Sequence, residues 1–224
     1  MLDFPGGDVQ ITDEAAIITC QKPLSTVSSA LVGGGFFCTQ TIINYHVPRH
    51  YNNTEPADEL RDYAQTHAIG EPFVGLMTAV PMRFTKTLTL RQRALTVTSI
   101  ITAGLHIAEA SGLTVPTFTT PGTINIIVLV DADLVASAMV NAIMTITEAK
   151  TAVLVEHSVR TEEGYLATGT MTDAVVVGCT GSGDPLPYAG PATEVGACIG
   201  ACVRQCLQKA LLYWRNGDMC DARD

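Results

Sequence analysis

"TINIIVLVDADLVASAMVNAIMTITEAKTAVLVEHSV" runs from Thr123 to Val159. Its opening, Thr123 to Asp131, is a nearly unbroken apolar run rich in β-branched residues. That is the pattern of a strand buried on both faces. From Ala132 the apolar residues recur every three or four positions, which predicts one long helix to Val159 with Asp133 as its N-cap. Two further elements follow. "LATGTMTDAVVVGC" (Leu166 to Cys179) reads as a strand. "TEVGACIGACVRQCLQKALLYWRNG" reads as a second long helix, capped by Thr193 and ended at Gly217.

Upstream, "VQITDEAAIITC", "TQTIINYHV", "FVGLMTA", "RFTKTLTLRQ" and "ALTVTSIITAG" read as strands. "PADELRDYAQTHAI" (Pro56 to Ile69) is a shorter helix, with proline at its start, early acids, and Gly70 behind it. "LHIAEASGLTVPTFTTPG" (Leu105 to Gly122), with two prolines and two glycines, reads as a loop. There is no internal repeat and no low-complexity linker. The expectation is a single α+β domain over residues 1–224: a largely antiparallel or mixed sheet, or pair of sheets, covered by two long helices and one shorter one. A Rossmann domain is disfavoured, because strands and helices do not alternate and no G-x-G-x-x-G opens a helix.

Composition narrows the function. Of 224 residues, 47% are hydrophobic and 16% charged, which argues for a packed core and against disorder. The net charge is -9 and no segment concentrates Lys and Arg, so the electrostatic footprint of a nucleic-acid binder is missing. "INIIVLV" is far shorter than the ~20 residues of a membrane span. "MLDFPGGDVQ" lacks the basic and apolar regions of a signal peptide, so the expectation is a cytoplasmic protein with no membrane partner. Seven cysteines without a secretion signal point to reduced thiols. Cys198, Cys202 and Cys206, four apart, share one side of a helix. Without a CxxC pair or a histidine at ligand spacing they read as packing residues, and no metal site is expected.

Two features ask for a chemical explanation. On the long central helix, Ile143, Ile146, Val153 and Leu154 form an apolar stripe, and Lys150 falls on it. A buried ammonium must find a partner, lose its proton, or reach water along its stem. The stripe allows two readings: a lysine whose head reaches solvent, or one turned inward at the edge of a site. Ser137, Asn141, Thr145 and Glu148 make a separate polar face. The second feature is "ATGTMTD". In a regular strand Thr168, Thr170 and Thr172 would share one face, with Asp173 on the other. Asp173 joins the hydroxyls only if the strand bulges or ends, which Gly169 would favour. Spacing alone also accepts an ordinary threonine-rich strand.

Taken together, "SSALVGGG", "IINYHV", "GLMTA", "TAGL", "GTINIIVLVDADL", "AIMTITEAKTAVL", "ATGTMTDAVVV" and "YAGPATEVGACIGACV", in this order, resemble the adenosylcobinamide amidohydrolase family from about Ser25 to about Leu212. The resemblance implies hydrolysis of the amide joining a propionyl side chain of the corrin ring to aminopropanol. The products would be adenosylcobyric acid and aminopropanol, in corrinoid salvage. It implies a small-molecule corrinoid substrate, cobalt carried only by that substrate and no other cofactor; a homo-oligomer is compatible with it. Matched by position, it places the glycine run on Gly33, Gly34 and Gly35, "GTIN" on Thr123 and Asn125, "TEAK" on Glu148 and Lys150, and "TGTxTD" on Thr168, Thr170, Thr172 and Asp173.

Amide hydrolysis needs an attacking oxygen, donors for the oxyanion and an acid for the amine. The candidate catalytic set is therefore Lys150, Asp173, Thr170, Thr168 and Thr172. Thr170, or a water held by Asp173, would supply the oxygen, and Lys150 would orient Asp173 or stabilise the oxyanion. Candidate substrate contacts are Gly33, Gly34, Gly35, Thr123, Asn125, Glu148, Tyr188 and Thr193. The chain departs from the family pattern Y-x-G-x-H-T-K-x-G, with Ala192 at the histidine and Glu194 at the lysine position. Behind "AGL", His106 and Ile107 stand where the family tends to carry an asparagine. A corrinoid-binding protein with lost or altered catalysis is the alternative these departures raise. Self-cleavage that exposes a threonine within "TGTMT" is a third reading.

Overall fold

The computed structural model describes residues 2–115 and 123–215. Ten strands and three helices follow in chain order: β1 (Gly7–Ile11), β2 (Ala15–Ser28), β3 (Gly35–His46), α1 (Pro56–Thr66), β4 (Phe73–Thr78), β5 (Lys86–Gln92), β6 (Leu95–Ala103), β7 (Ala108–Glu109), β8 (Ile124–Val130), α2 (Ala136–Glu156), β9 (Gly169–Thr170), β10 (Ala174–Cys179) and α3 (Glu194–Arg215). The large sheet has the order β4-β3-β2-β10-β8-β6-β5, with β1 paired to β2. It is mixed: β3–β4 and β8–β10 are parallel and the other pairs antiparallel. The α+β expectation holds, with two long helices and one shorter.

The sheet bends until its two halves face each other. Strand β2 belongs to both: residues 16–20 pair with β1, residues 25–28 pair with β10, and the register against β3 shifts between Thr19 and Leu24. Ile18, Ile42, Val74 and Leu76 of one half pack against Ile100, Ile127, Leu129 and Val176 of the other. Helix α1 covers the outer face of the β3–β4 half with Leu60, Tyr63 and Ala64. Helices α2 and α3 cover the outer face of the β10-β8-β6-β5 half. Every residue of β8 is buried: Ile126, Val128 and Val130 face the helices, while Ile127 and Leu129 face the opposing strands. This is the two-sided burial its apolar run predicts.

Some boundaries differ. Helix α2 starts at Ala136, not at Asp133; Val135 is its N-cap, and no side chain caps it. The Asp133 carbonyl instead accepts the Leu186 N–H at 2.7 Å, which holds the chain extended there. It ends at Glu156, and Ser158 turns the chain with φ +54. Helix α1 ends at Thr66, with left-handed Ala68 behind it. The expected C-cap Gly217 lies outside the described residues. Among the described residues, α2 is the one helix long and apolar enough to cross a bilayer, and 50% of that apolar window is buried inside the fold.

Cys198, Cys202 and Cys206 are packing residues of α3. Cys202 Sγ donates to the Leu88 carbonyl at 3.3 Å, and Cys206 Sγ to the Lys86 carbonyl at 3.4 Å. Burial pushes the Cys206 thiol up to about 12, while Cys38 is exposed. The thiolate is the reactive form, so native alkylation at neutral pH should modify Cys38 and spare Cys198, Cys202 and Cys206 until the chain is unfolded. Peptide mass mapping before and after denaturation checks this.

Candidate active site

Lys150 lies in the last two turns of α2 and is 8% exposed. Its position on the apolar stripe aims it at the sheet, and there Nζ donates to Asp173 Oδ2 in an ion pair. Of the two readings of this lysine, the structure shows the inward one. Asp173 is where it is because "LATGTMTDAVVVGC" is not one strand. Strand β9 stops at Thr170, Met171 and Thr172 form a turn, and β10 starts at Ala174. The turn brings Asp173 back onto Thr170. The Thr170 hydroxyl donates to Asp173 Oδ1, and the Thr170 N–H donates to Oδ2 at 3.2 Å. The Ile124 N–H, at the start of β8, donates to Oδ1 at 3.0 Å. Both carboxylate oxygens thus receive two donors each, which fills the acceptor capacity of an ionised carboxylate.

Gly169 makes room for this arrangement. A Cβ there would collide with Asp173 Oδ2 and lie 2.7 Å from Lys150 Nζ. The expectation that glycine marks an irregularity holds, and its cause is the ion pair beneath it.

The other candidates divide into groups. Thr123 Oγ1 lies 2.8 Å from Asn125 Oδ1 and 3.0 Å from the Thr172 carbonyl. Asn125, expected to contact substrate, has its side chain committed within the core instead. It is 1% exposed, and its Nδ2 donates to Asn44 Oδ1 and to the Met77 carbonyl, both at 2.8 Å. Asn44 Nδ2 in turn donates to Thr102 Oγ1 at 3.0 Å, so the chain of amides ties the two halves of the sheet together. Thr168 braces the small ribbon: its Oγ1 accepts the Ser111 N–H at 2.9 Å and its carbonyl accepts the Thr151 hydroxyl at 3.1 Å. The Thr172 side chain is exposed on the turn, and Glu148 is exposed on α2.

Gly33, Gly34 and Gly35 form the β2–β3 turn, one strand along from β10. Gly33 and Gly35 have φ of +64 and +77, and a Cβ on Gly33 would stand 2.7 Å from the Phe73 carbonyl oxygen. Tyr188 and Thr193 lie at the other end of the sheet. Thr193 caps α3, accepting the Gly196 N–H at 3.0 Å, and Asn141 and Thr145 of α2 hold the loop through Ala189. Asn141 and Thr145, where the loop is held, precede Lys150 by nine and five positions, roughly 14 and 8 Å along the helix. Glu194 at the first turn of α3 pairs with Arg93 at 3.2 Å, and Ala192 is exposed. These two departures therefore fall outside the Lys150–Asp173 cluster.

Two contributors were not legible in the sequence. Asn44 sits in "IINYHV", a segment that matched the family pattern without pointing to any role for its asparagine. Glu109 sits in a segment read as loop, which the structure pairs as β7 with β9: Ala108 opposite Thr170 and Glu109 opposite Gly169.

A hydroxyl hydrogen-bonded to a carboxylate that a third group orients meets the geometric requirement for an activated nucleophile. The model of the adenosylcobinamide amidohydrolase family matches residues 5–218, and the chain belongs to that family. It is an amidohydrolase, of a family that cleaves an amide in cobinamide salvage. It is 35% identical over 195 residues to the adenosylcobinamide amidohydrolase of Methanosarcina mazei, covering 83% of this chain and 88% of that protein. A similar match, 39% identical over 77 residues, links it to the adenosylcobinamide amidohydrolase of Halobacterium salinarum, over 34% of this chain and 30% of that protein. Among solved structures, the PH0078 protein from Pyrococcus horikoshii OT3 has the same fold, with a TM-score of 0.50 and 11% identity over 92% of this chain and 83% of that one.

Removing one partner of a buried pair leaves the other charge unmatched and costs about 3–5 kcal/mol. Asp173→Ala and Lys150→Ala should each lower stability on that scale in urea unfolding. The double variant should lose less than the sum of the two, and simple additivity would mean the pair is not coupled.

Proposed function

We propose that this protein hydrolyses adenosylcobinamide to adenosylcobyric acid and aminopropanol, with Thr170 as the attacking group. One observation carries the site assignment: the Thr170 hydroxyl is held by a carboxylate that Lys150 and two backbone N–H groups keep in place. A hydroxyl nucleophile needs an adjacent base, and here the hydrogen bond already points from one to the other.

In the first half-reaction Thr170 Oγ bonds to the amide carbon while its proton passes to Asp173. The carbonyl pair moves onto oxygen, and the Lys150 ammonium is the cation assigned to help stabilise it. Collapse breaks the C–N bond, and the departing nitrogen takes the proton from Asp173. Aminopropanol leaves, and the corrinoid acid remains as an ester of Thr170. The alternative attacker, a water held by Asp173, has less support, because the four donors on that carboxylate leave no acceptor position for it. The cobalt belongs to the corrinoid, and no step requires a cofactor bound by the protein. A corrinoid-binding role without turnover has less support, since Ala192 and Glu194 lie away from the reacting groups.

Thr170→Val, Lys150→Ala and Asp173→Ala should each lower aminopropanol release from adenosylcobinamide by about 10² or more. Thr170→Val keeps the shape of the side chain and is the most direct arm. Normal turnover in Thr170→Val removes the nucleophile assignment. Binding of adenosylcobinamide by the native protein without aminopropanol release favours the binding role.

A further inference from the structure

Among the described residues, Glu109 is a carboxylate beside this site that the reaction above does not use. Strand β7 pairs antiparallel with β9, and Glu109 stands directly opposite Gly169. Side chains of directly paired residues leave an antiparallel ribbon on the same face, their Cβ atoms about 5 Å apart. The face of Gly169 is known from what a Cβ there would meet, Lys150 Nζ and Asp173 Oδ2. Glu109 therefore projects to the side of the ribbon that carries the ion pair.

Its condition there is unusual. Among the described residues, Glu109 Oε2 is buried and has no hydrogen-bond partner. It forms no ion pair with Lys150, whose partner is Asp173. Burying a carboxylate oxygen without a donor is costly, and native proteins leave few such atoms unexplained. The ribbon that places it is itself well braced. The Glu109 carbonyl accepts the Thr168 N–H at 2.8 Å, and the Ser111 N–H reaches Thr168 Oγ1 at 2.9 Å. The backbone is fixed while the carboxylate oxygen is left open.

The site contains two carboxylates in opposite conditions. Asp173 has every lone pair engaged and can hold Thr170, but it cannot also seat a water. Glu109 has an acceptor to offer. We propose that Glu109 is the general base of the second half-reaction, seating and activating the water that releases the acid from Thr170. The inference rests on Thr170 being the nucleophile. The water oxygen bonds to the ester carbon as one of its protons passes to Glu109, and the carbonyl pair moves onto oxygen. Collapse breaks the bond from carbon to Thr170 Oγ, and the leaving Oγ takes the proton from Glu109. The corrinoid carboxylic acid departs, and both residues return to their starting states.

The division of labour predicts a separation that a merely structural glutamate would not produce. In Glu109→Gln, which keeps shape and removes the base, the first half-reaction should proceed and the second should stall. Adenosylcobinamide should give a burst of about one aminopropanol per site, followed by steady turnover lowered by about 10² or more. Intact-mass measurement should show the corrinoid acyl group on the chain, and peptide mapping should place it on Thr170. Glu109→Asp, with a shorter carboxylate, should recover part of the steady rate and abolish the accumulation. Wild-type turnover in Glu109→Gln overturns the inference, and so does a slow variant with no burst and no adduct, its thermal melt being matched to the native protein. If Thr170→Val turns over normally, the nucleophile assignment fails instead, and that outcome is separate from any result with Glu109.

Discussion

Lys150 and Asp173 meet inside the fold with side chains only 10% and 13% exposed, and such charges must be matched by neighbours rather than by water. The match explains the local architecture. Asp173 takes the ammonium, one hydroxyl and two backbone N–H groups. These donors come from α2, from β9 and from the first residue of β8, so the ion pair pins three elements at one point. It also leaves no room for a side chain at Gly169, and the turn at Met171 and Thr172 is what returns Asp173 to Thr170.

A second buried polar system does a different job a few residues away. Asn125, Asn44 and Thr102 pass hydrogen bonds from β8 to β3 and to β6 across the interior, and Asn125 also reaches the β4 backbone. Polar groups in such a place are costly unless satisfied, and here they are satisfied by one another. They pin the bend of the sheet at the end where Thr123 and Asp173 sit. The site is thus supported from behind by amides and flanked by the β7–β9 ribbon, which carries Glu109, with one carboxylate oxygen lacking a donor, and faces Asp173, which has a full set.

Much of this was legible in order and type. The strand at Ile124–Val130, the two long helices, the α+β class and the packing role of the α3 cysteines follow from apolar periodicity, and burial against neighbours enforces the same periodicity. The resemblance of "GTINI", "TEAK" and "ATGTMTD" to one family joined Lys150, Thr170 and Asp173 before any geometry was known. Asn125 hydrogen-bonds within the core and Thr168 braces the ribbon, roles the motif did not announce, because a motif groups residues that are near in function or in structure without separating the two. That the loop of Tyr188 and Thr193 returns beside Arg93, away from Asp173, was not legible, because sequence order carries no information about which end of a strand a loop returns to.

What the sequence by itself determined is what depends on a residue and its near neighbours: which segments are apolar on one face or on both, where glycine permits a close approach, and that a lysine on an apolar stripe must have a partner. Only the tertiary structure decided which partner. Asp173 is 23 residues from Lys150, Asn44 is 81 from Asn125, and Glu109 is 60 from Gly169, the residue it faces. Contacts at such separations form when the sheet bends and the helices settle on it. Hydrogen-bond capacity is a property of the residue, but whether it is filled, as in Asp173, or left open, as in Glu109, is a property of the fold.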